Sequence, residues 1–142
     1  MGTVFQGNKP IRAFSELSYF TSITSLPYNA FYNNDNLIKV KFPDRITSTG
    51  GRTFYDCSNL KYVDYGSGIT SFGGMDHRYT SKMQAMIIRN PIPPSMSITN
   101  FFPYGTLYVP DDAVETYKTH ETWSYFASRT KPISEAPSYD DF

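Results

Sequence analysis

The sequence predicts a β-rich α/β solenoid of about four 23-residue turns, closed by a helical cap. Residues 23–72 repeat at a constant offset of 23: Ile23, Ile46 and Ile69 each precede Thr-Ser, Phe31 recurs as Phe54, Leu37 as Leu60, Val40 as Val63, and Phe42 as Tyr65. A period of this length marks stacked units, none of which buries its apolar face alone. Within a unit, Leu-x-x-Val-x-Phe sends Val40 and Phe42 to one face of a strand and Lys39 and Lys41 to the other. After Pro110 the period stops, and an aromatic segment follows where the last layer of an open stack needs a cover.

Residues 1–13 read as a lead-in outside the repeat. The solenoid is expected over 14–110, with Phe14, Leu17 and Tyr19 standing 23 residues before Leu37, Val40 and Phe42. In each turn Ile-Thr-Ser makes a second short extended piece, and Pro27-Tyr28 or Gly50-Gly51 bends the chain before the Phe. AFYNND and TFYDCS are too short for an α-helix and predict one tight 3₁₀-like turn each. Pro43 and Gly66 stop their strands. The fourth turn is degenerate: Met83, Met86 and Ile88 take the places of Leu60, Val63 and Tyr65, and His77 stands where Phe31 and Phe54 stood. Pro91, Pro93 and Pro94 break regular structure, and a last strand at 106–110 puts Leu107 and Val109 after Met86 and Ile88, now at an offset of 21. Asp111 or Asp112 is the expected N-cap of a helix over 111–119 that carries Val114, Tyr117 and Lys118 on one face. With Trp123, Tyr125 and Phe126 it forms the cap, residues 111–133; residues 134–142 read as a flexible, solvated tail.

ITSLPYNAFYNNDNLIKVKF and ITSTGGRTFYDCSNLKYVDY resemble the BspA-like leucine-rich repeat, I-T-S-I-G-x-x-A-F-x-x-C-x-x-L-x-x-I-x-I-P. The stretch LYVPDDAVETYKTHETWSYFASRTKPI resembles the cap that often follows such repeats in surface proteins of gut bacteria, and FSELSYFTSITSLP the start of such arrays. The resemblance implies a right-handed solenoid with one concave parallel sheet, a cell-surface or secreted role in binding or adhesion, and no shared catalytic residues. The chain departs from the pattern at Asn34, which takes the cysteine place held by Cys57, and at His77, which casts the local geometry of 73–82 as remodelled.

The composition limits the chemistry. The chain has 142 residues, 13 basic and 13 acidic, with 12 Tyr and 11 Phe. Neither half is strongly basic, so no nucleic-acid footprint is present. No run is long and apolar enough to span a bilayer, and MGTVFQGNKPIRAF lacks the apolar region of a signal peptide. An exported protein would then need a longer parent chain, a secretion route of its own or a phage particle to deliver it. Cys57 alone excludes an internal disulfide, and its repeat position reads as a buried structural thiol. His77 and His120 lie on unrelated segments without a third ligand at readable spacing, so no metal is expected. Asp111-Asp112 reads as a cap and Asp140-Asp141 as tail; no Asp-x-Asp-x-Asp-Gly loop and no Gly-x-Ser-x-Gly elbow occurs, and glycines 50, 51, 73 and 74 mark solenoid corners. Neither catalysis nor a cofactor is expected.

What remains is the concave face. Its outward positions stack as Glu16, Lys39, Tyr62 and Ala85 in one column and Ser18, Lys41, Asp64 and Ile87 in the next, which Tyr108 extends. The core does not force these residues, so they are the expected ligand-binding set, with Tyr62 and Tyr108 as anchors. The expected role is a binding or adhesion module for a protein or glycan at a cell or particle surface, alone or within a larger chain. The alternative is a phage tail or fibre component with a receptor-binding or structural role, which would place the chain on a virion.

Overall fold

The structure is a computed structural model that describes residues 5–6, 10–15, 19–97 and 104–142. Strands β1 (Ala13–Phe14), β3 (Lys39–Lys41), β5 (Tyr62–Asp64), β6 (Ala85–Ile87), β7 (Thr106–Val109) and β8 (Thr130–Pro132) form one all-parallel sheet in that order. β2 (Ser25–Leu26) and β4 (Ser48–Thr49) form a second parallel ladder, continued by single bridges from Ser48 to Ser71 and from Ser71 to Ser95. The two ladders are the Leu-x-x-Val-x-Phe and Ile-Thr-Ser pieces of each turn, joined side by side by the repeat.

The register upholds the 23-residue offset over the central turns, where Lys39 pairs with Tyr62 and Tyr62 with Ala85. It upholds the offset of 21 for the fifth strand, where Leu107 pairs with Met86. The first turn is different. Ala13 pairs with Lys39 and Phe14 with Val40, an offset of 26. The column place expected for Glu16 therefore belongs to Ala13; Glu16, Leu17 and Ser18 lie outside the described residues. The reason is aromatic packing: Phe14 is buried edge-on to Phe5 and Phe31 at 4.6 and 5.2 Å, and Phe5 stacks on Phe31 at 5.3 Å. Phe5 stands 26 residues before Phe31, so the lead-in supplies the first layer of the stack instead of preceding it.

The interior is a pile of rings. Phe31, Phe54 and His77 stack with centroids 5.4 Å apart at each step, and Phe42 lies 5.4 Å from Tyr65. Two residues in each turn adopt left-handed backbone, first Asn29, Arg52 and Met75, then Asn33, Asp56 and Tyr79. Such angles cost free energy in residues other than glycine. Bonds between turns hold them: Asn29, Phe31 and Asn33 donate N–H to the carbonyls of Gly51, Thr53 and Tyr55, and Arg52, Phe54 and Asp56 do the same one turn later. The left-handed residues also explain why these stretches form separate hydrogen-bonded turns instead of the expected 3₁₀ geometry. At one corner a Cβ on Gly73 would lie 2.2 Å from the Gly51 nitrogen, so only glycine fits.

The cap holds a short helix and a sixth strand. A 3₁₀ turn (Asp111–Ala113) leads into α1 (Val114–Thr119), and Trp123–Arg129 winds as 3₁₀. Trp123 lies 6.0 Å from Phe72 of the solenoid and 5.5 Å from Tyr117, while its indole N–H donates to the Pro94 carbonyl at 2.7 Å. Tyr125 is exposed, so the lid uses Trp123 and Phe126. Two expectations fail here. Neither Asp111 nor Asp112 caps α1; Asp111 Oδ1 instead accepts from the Ser134 N–H at 3.0 Å. Residues 130–132 are not helical cap but β8, whose Pro132 lies on the outer edge, where a missing N–H breaks no ladder.

Candidate binding face

The outer face of the six-stranded sheet carries the predicted columns, amended at the first turn. One runs Ala13, Lys39, Tyr62, Ala85 and Thr106; the other runs Lys41, Asp64, Ile87, Tyr108 and Lys131. The columns are present, but their centre is not open. Tyr62 is 2% exposed, Ala85 and Ile87 1% and Asp64 0%.

The cover is the segment expected to be a flexible tail. Residues 133–142 cross this face in two 3₁₀ turns, Ile133–Glu135 and Tyr139–Asp141. Ile133, Ala136, Tyr139 and Phe142 pack on the cluster of Tyr62, Ala85 and Ile87, together with Tyr108. The Tyr62 ring meets Tyr139 at 5.7 Å and Phe142 at 5.2 Å. Lys39 Nζ sits 4.3 Å over the Tyr139 ring and donates to its carbonyl at 3.1 Å. Ser138 and Asp141 cap the last turn reciprocally: Asp140 N–H donates to Ser138 Oγ, and Ser138 N–H to Asp141 Oδ2. Burial, with the Asp64 charge adding to it, pushes the Tyr62 hydroxyl up to about 12. Tyr62 is thus part of an internal interface.

Asp64 is held by a partner that the sequence reading passed over. Arg89 donates Nε to both carboxylate oxygens at 3.1 Å and a second nitrogen at 2.8 Å, while the Gly66 N–H donates at 3.0 Å. A buried carboxylate needs such compensation. The signal was available, because Arg89 continues the two-residue alternation of Ala85 and Ile87. Tyr139 and Phe142 also left a trace, the Ser-x-x-Asp capping pattern at Ser138 and Asp141.

Beside the tail a groove of about 780 Å³ remains. Lys41, Ile87 and Arg89 line it from the sheet, and Asp111, Ser134 and Asp140 line the side of the cap and tail. Lys41 is exposed and Arg89 partly so, which leaves two cations facing solvent in the groove.

Cys57 and His77 are committed to the interior, and His120 is half-buried in the cap. Cys57 is buried, its Sγ donates to the Phe31 carbonyl at 3.0 Å, and burial pushes the thiol up to about 12. It is therefore a hydrogen-bond donor at neutral pH, not a thiolate. Asn34 and Thr80, its counterparts in the flanking turns, donate to the Phe31 and His77 carbonyls. His77 meets the Tyr65 hydroxyl through Nε2 at 2.7 Å, and burial holds its imidazole down to about 3. His120 Nδ1 accepts from the Thr122 N–H at 3.2 Å. Among the described residues no group of three or more His, Cys, Asp or Glu gathers in metal-binding geometry, and no helix is long and apolar enough to cross a membrane.

The family description BspA type Leucine rich repeat region, with six copies, matches residues 5–100. The match starts at Phe5, the residue that supplies the first ring of the stack. No curated protein matches the sequence.

Proposed function

The chain belongs to the BspA-type leucine-rich repeat family, and from that premise we propose that it is a non-catalytic binding module that recognises a protein or glycan at a cell or particle surface. The family supports an interaction or adhesion role, and the groove beside the docked tail supports the choice of surface. The carrying observation is that Lys41 and Arg89 face an open groove on a sheet whose centre the chain itself covers. The recognition surface is then composite, with the sheet on one wall and residues 134–140 on the other. Tyr108 is half-buried against the tail cluster and contributes an aromatic edge.

The test starts from an unbiased glycan array and a surface-protein pull-down with the intact chain. The ligand found is then measured against Lys41→Ala/Tyr108→Ala, a variant that spares the buried Tyr62 and the Asp64–Arg89 pair. Loss of affinity by about tenfold or more fits truncation of two interface contacts. Unchanged binding would place recognition on another surface.

A further inference from the structure

A second groove, of about 630 Å³, opens where the turns enter the sheet, and six residues line it: Arg12, Asn36, Ile38, Asn59, Lys61 and Lys82. Three are cations, two are carboxamides, one is apolar, and no carboxylate is among them. Arg12, Lys61 and Lys82 form no ion pair among the described residues. Lys82 Nζ donates to the Asn59 side-chain oxygen at 2.6 Å, a neutral partner that leaves its charge uncompensated. Asn59 is itself fixed, because its amide donates to the Asp35 carbonyl at 2.6 Å. In a chain of net charge zero, this convergence of cations is local and unexplained by folding.

The repeat sets the spacing. Ile38 N–H donates to the Arg12 carbonyl at 2.7 Å and Lys61 N–H to the Ile38 carbonyl at 2.8 Å, so the three occupy successive rungs. Arg12 and Lys61 therefore sit two rungs apart, about 10 Å, with Ile38 between them. Gln84 takes the next rung, its N–H donating to the Lys61 carbonyl at 2.9 Å, and Lys82 stands beside that line, one turn on from Asn59. We propose that this edge binds an acidic polysaccharide carrying sulfate or carboxylate at disaccharide intervals. Arg12 and Lys61 pair with successive anions and Lys82 with a third beside them, the Asn59 carboxamide meets sugar hydroxyls, and the apolar face of a sugar ring rests on Ile38. Single-stranded nucleic acid fits the groove less well, because no aromatic ring lines it for base stacking.

The experiment measures binding of the intact chain to chondroitin sulfate, polygalacturonate, uncharged dextran and polythymidylate over a salt series. The acidic polysaccharides should bind and dextran should not; sulfate or uronate specificity appears as the stronger of the first two arms. Lys61→Gln/Lys82→Gln should lower the slope of log affinity against log salt by about two. Lys61→Arg/Lys82→Arg should restore it, and the charge-matched Lys118→Gln/Lys131→Gln should leave it unchanged. The groove on the outer face is separate, so Lys41→Ala/Tyr108→Ala should bind the polysaccharide as the parent does. Equal loss in the two Gln pairs, no binding at low salt, or tighter binding of polythymidylate overturns the proposal.

Discussion

Asp76 and His77 are neighbours in sequence, both fully buried, and displaced in opposite senses. Burial raises the Asp76 carboxyl from 3.8 to about 6, against hydrogen bonds from the Thr49 hydroxyl and the Thr53 N–H. Burial lowers the His77 imidazole from 6.5 to about 3. Between about pH 4 and 6 the folded chain carries a proton on Asp76 and none on His77, while the unfolded chain does the reverse. Equal proton counts make this pair's contribution to stability flat across the window. Removing one partner exposes the other. Tyr65→Phe/His77→Phe rebuilds the phenylalanine pair of the preceding turn and leaves Asp76 alone. Its folded state then holds the extra proton, so stability present below about pH 4 is lost as pH rises through 6, by about 3 kcal/mol at ~1.4 kcal/mol per unit. Asp76→Asn leaves His77 alone, and stability present above about pH 6.5 is lost by about the same amount as pH falls to 4. Urea unfolding followed by the fluorescence of Trp123 at about pH 4, 5 and 6 measures both, as differences from the parent that cancel the exposed carboxylates. Variant curves that stay parallel to the parent would refute the opposed titrations.

Three further outcomes follow from packing. Phe54→Ala removes the ring between Phe31 and His77 and should cost about 3–5 kcal/mol in urea unfolding; a near-neutral result would contradict the ring stack. Trp123→Phe strands the buried Pro94 carbonyl and should cost about 1–3 kcal/mol, read as a lowered thermal midpoint. Deleting residues 133–142 uncovers Tyr62, Ala85 and Ile87, so the shortened chain should be less stable and should bind the dye ANS; a chain with unchanged midpoint and no dye binding would show that the tail does not cover the face.

The scaffold was legible because each repeated residue has one task that recurs. Val40, Val63 and Met86 fill the same layer, and a constant offset exposes such a layer without any structure. The first turn is harder to read because its offset is 26: at 23, Phe14 falls on Leu37 and Leu17 on Val40, whereas Phe14 pairs with Val40 and Phe5 joins the stack. His77 reads as a departure from the phenylalanine column, yet it keeps the stacking distance and adds a bond to Tyr65, itself a departure from Phe42. Two substitutions on different columns compensate, and a column read singly cannot show that. The tail is hard to read for a related reason. SEAPSYDDF is polar by composition, and its two aromatics become informative only once Tyr62 is known to lie beneath them.

The tail and the face account for each other. Along the sheet the outward side chains are cationic at Lys39, Lys41 and Lys131 and apolar at Ala85 and Ile87, with Tyr62 between. Without a cover that centre would be a contiguous apolar strip exposed to water, a surface that invites association. Tyr139 and Phe142 cover it, and Lys39 ties the cover down through the Tyr139 ring and carbonyl. Asp64 can be buried there because Arg89 reaches it from the next turn, and the same guanidinium keeps part of its surface in the groove. The residues that change between turns thus divide into two sets. Tyr62, Ala85 and Ile87 dock the chain's own tail and Arg89 holds Asp64, while Lys41 and Arg89 keep surface in the groove. A partner on this face therefore meets the tail as well as the sheet, and changes at Ser134 or Asp140 should alter its affinity as directly as changes at Lys41.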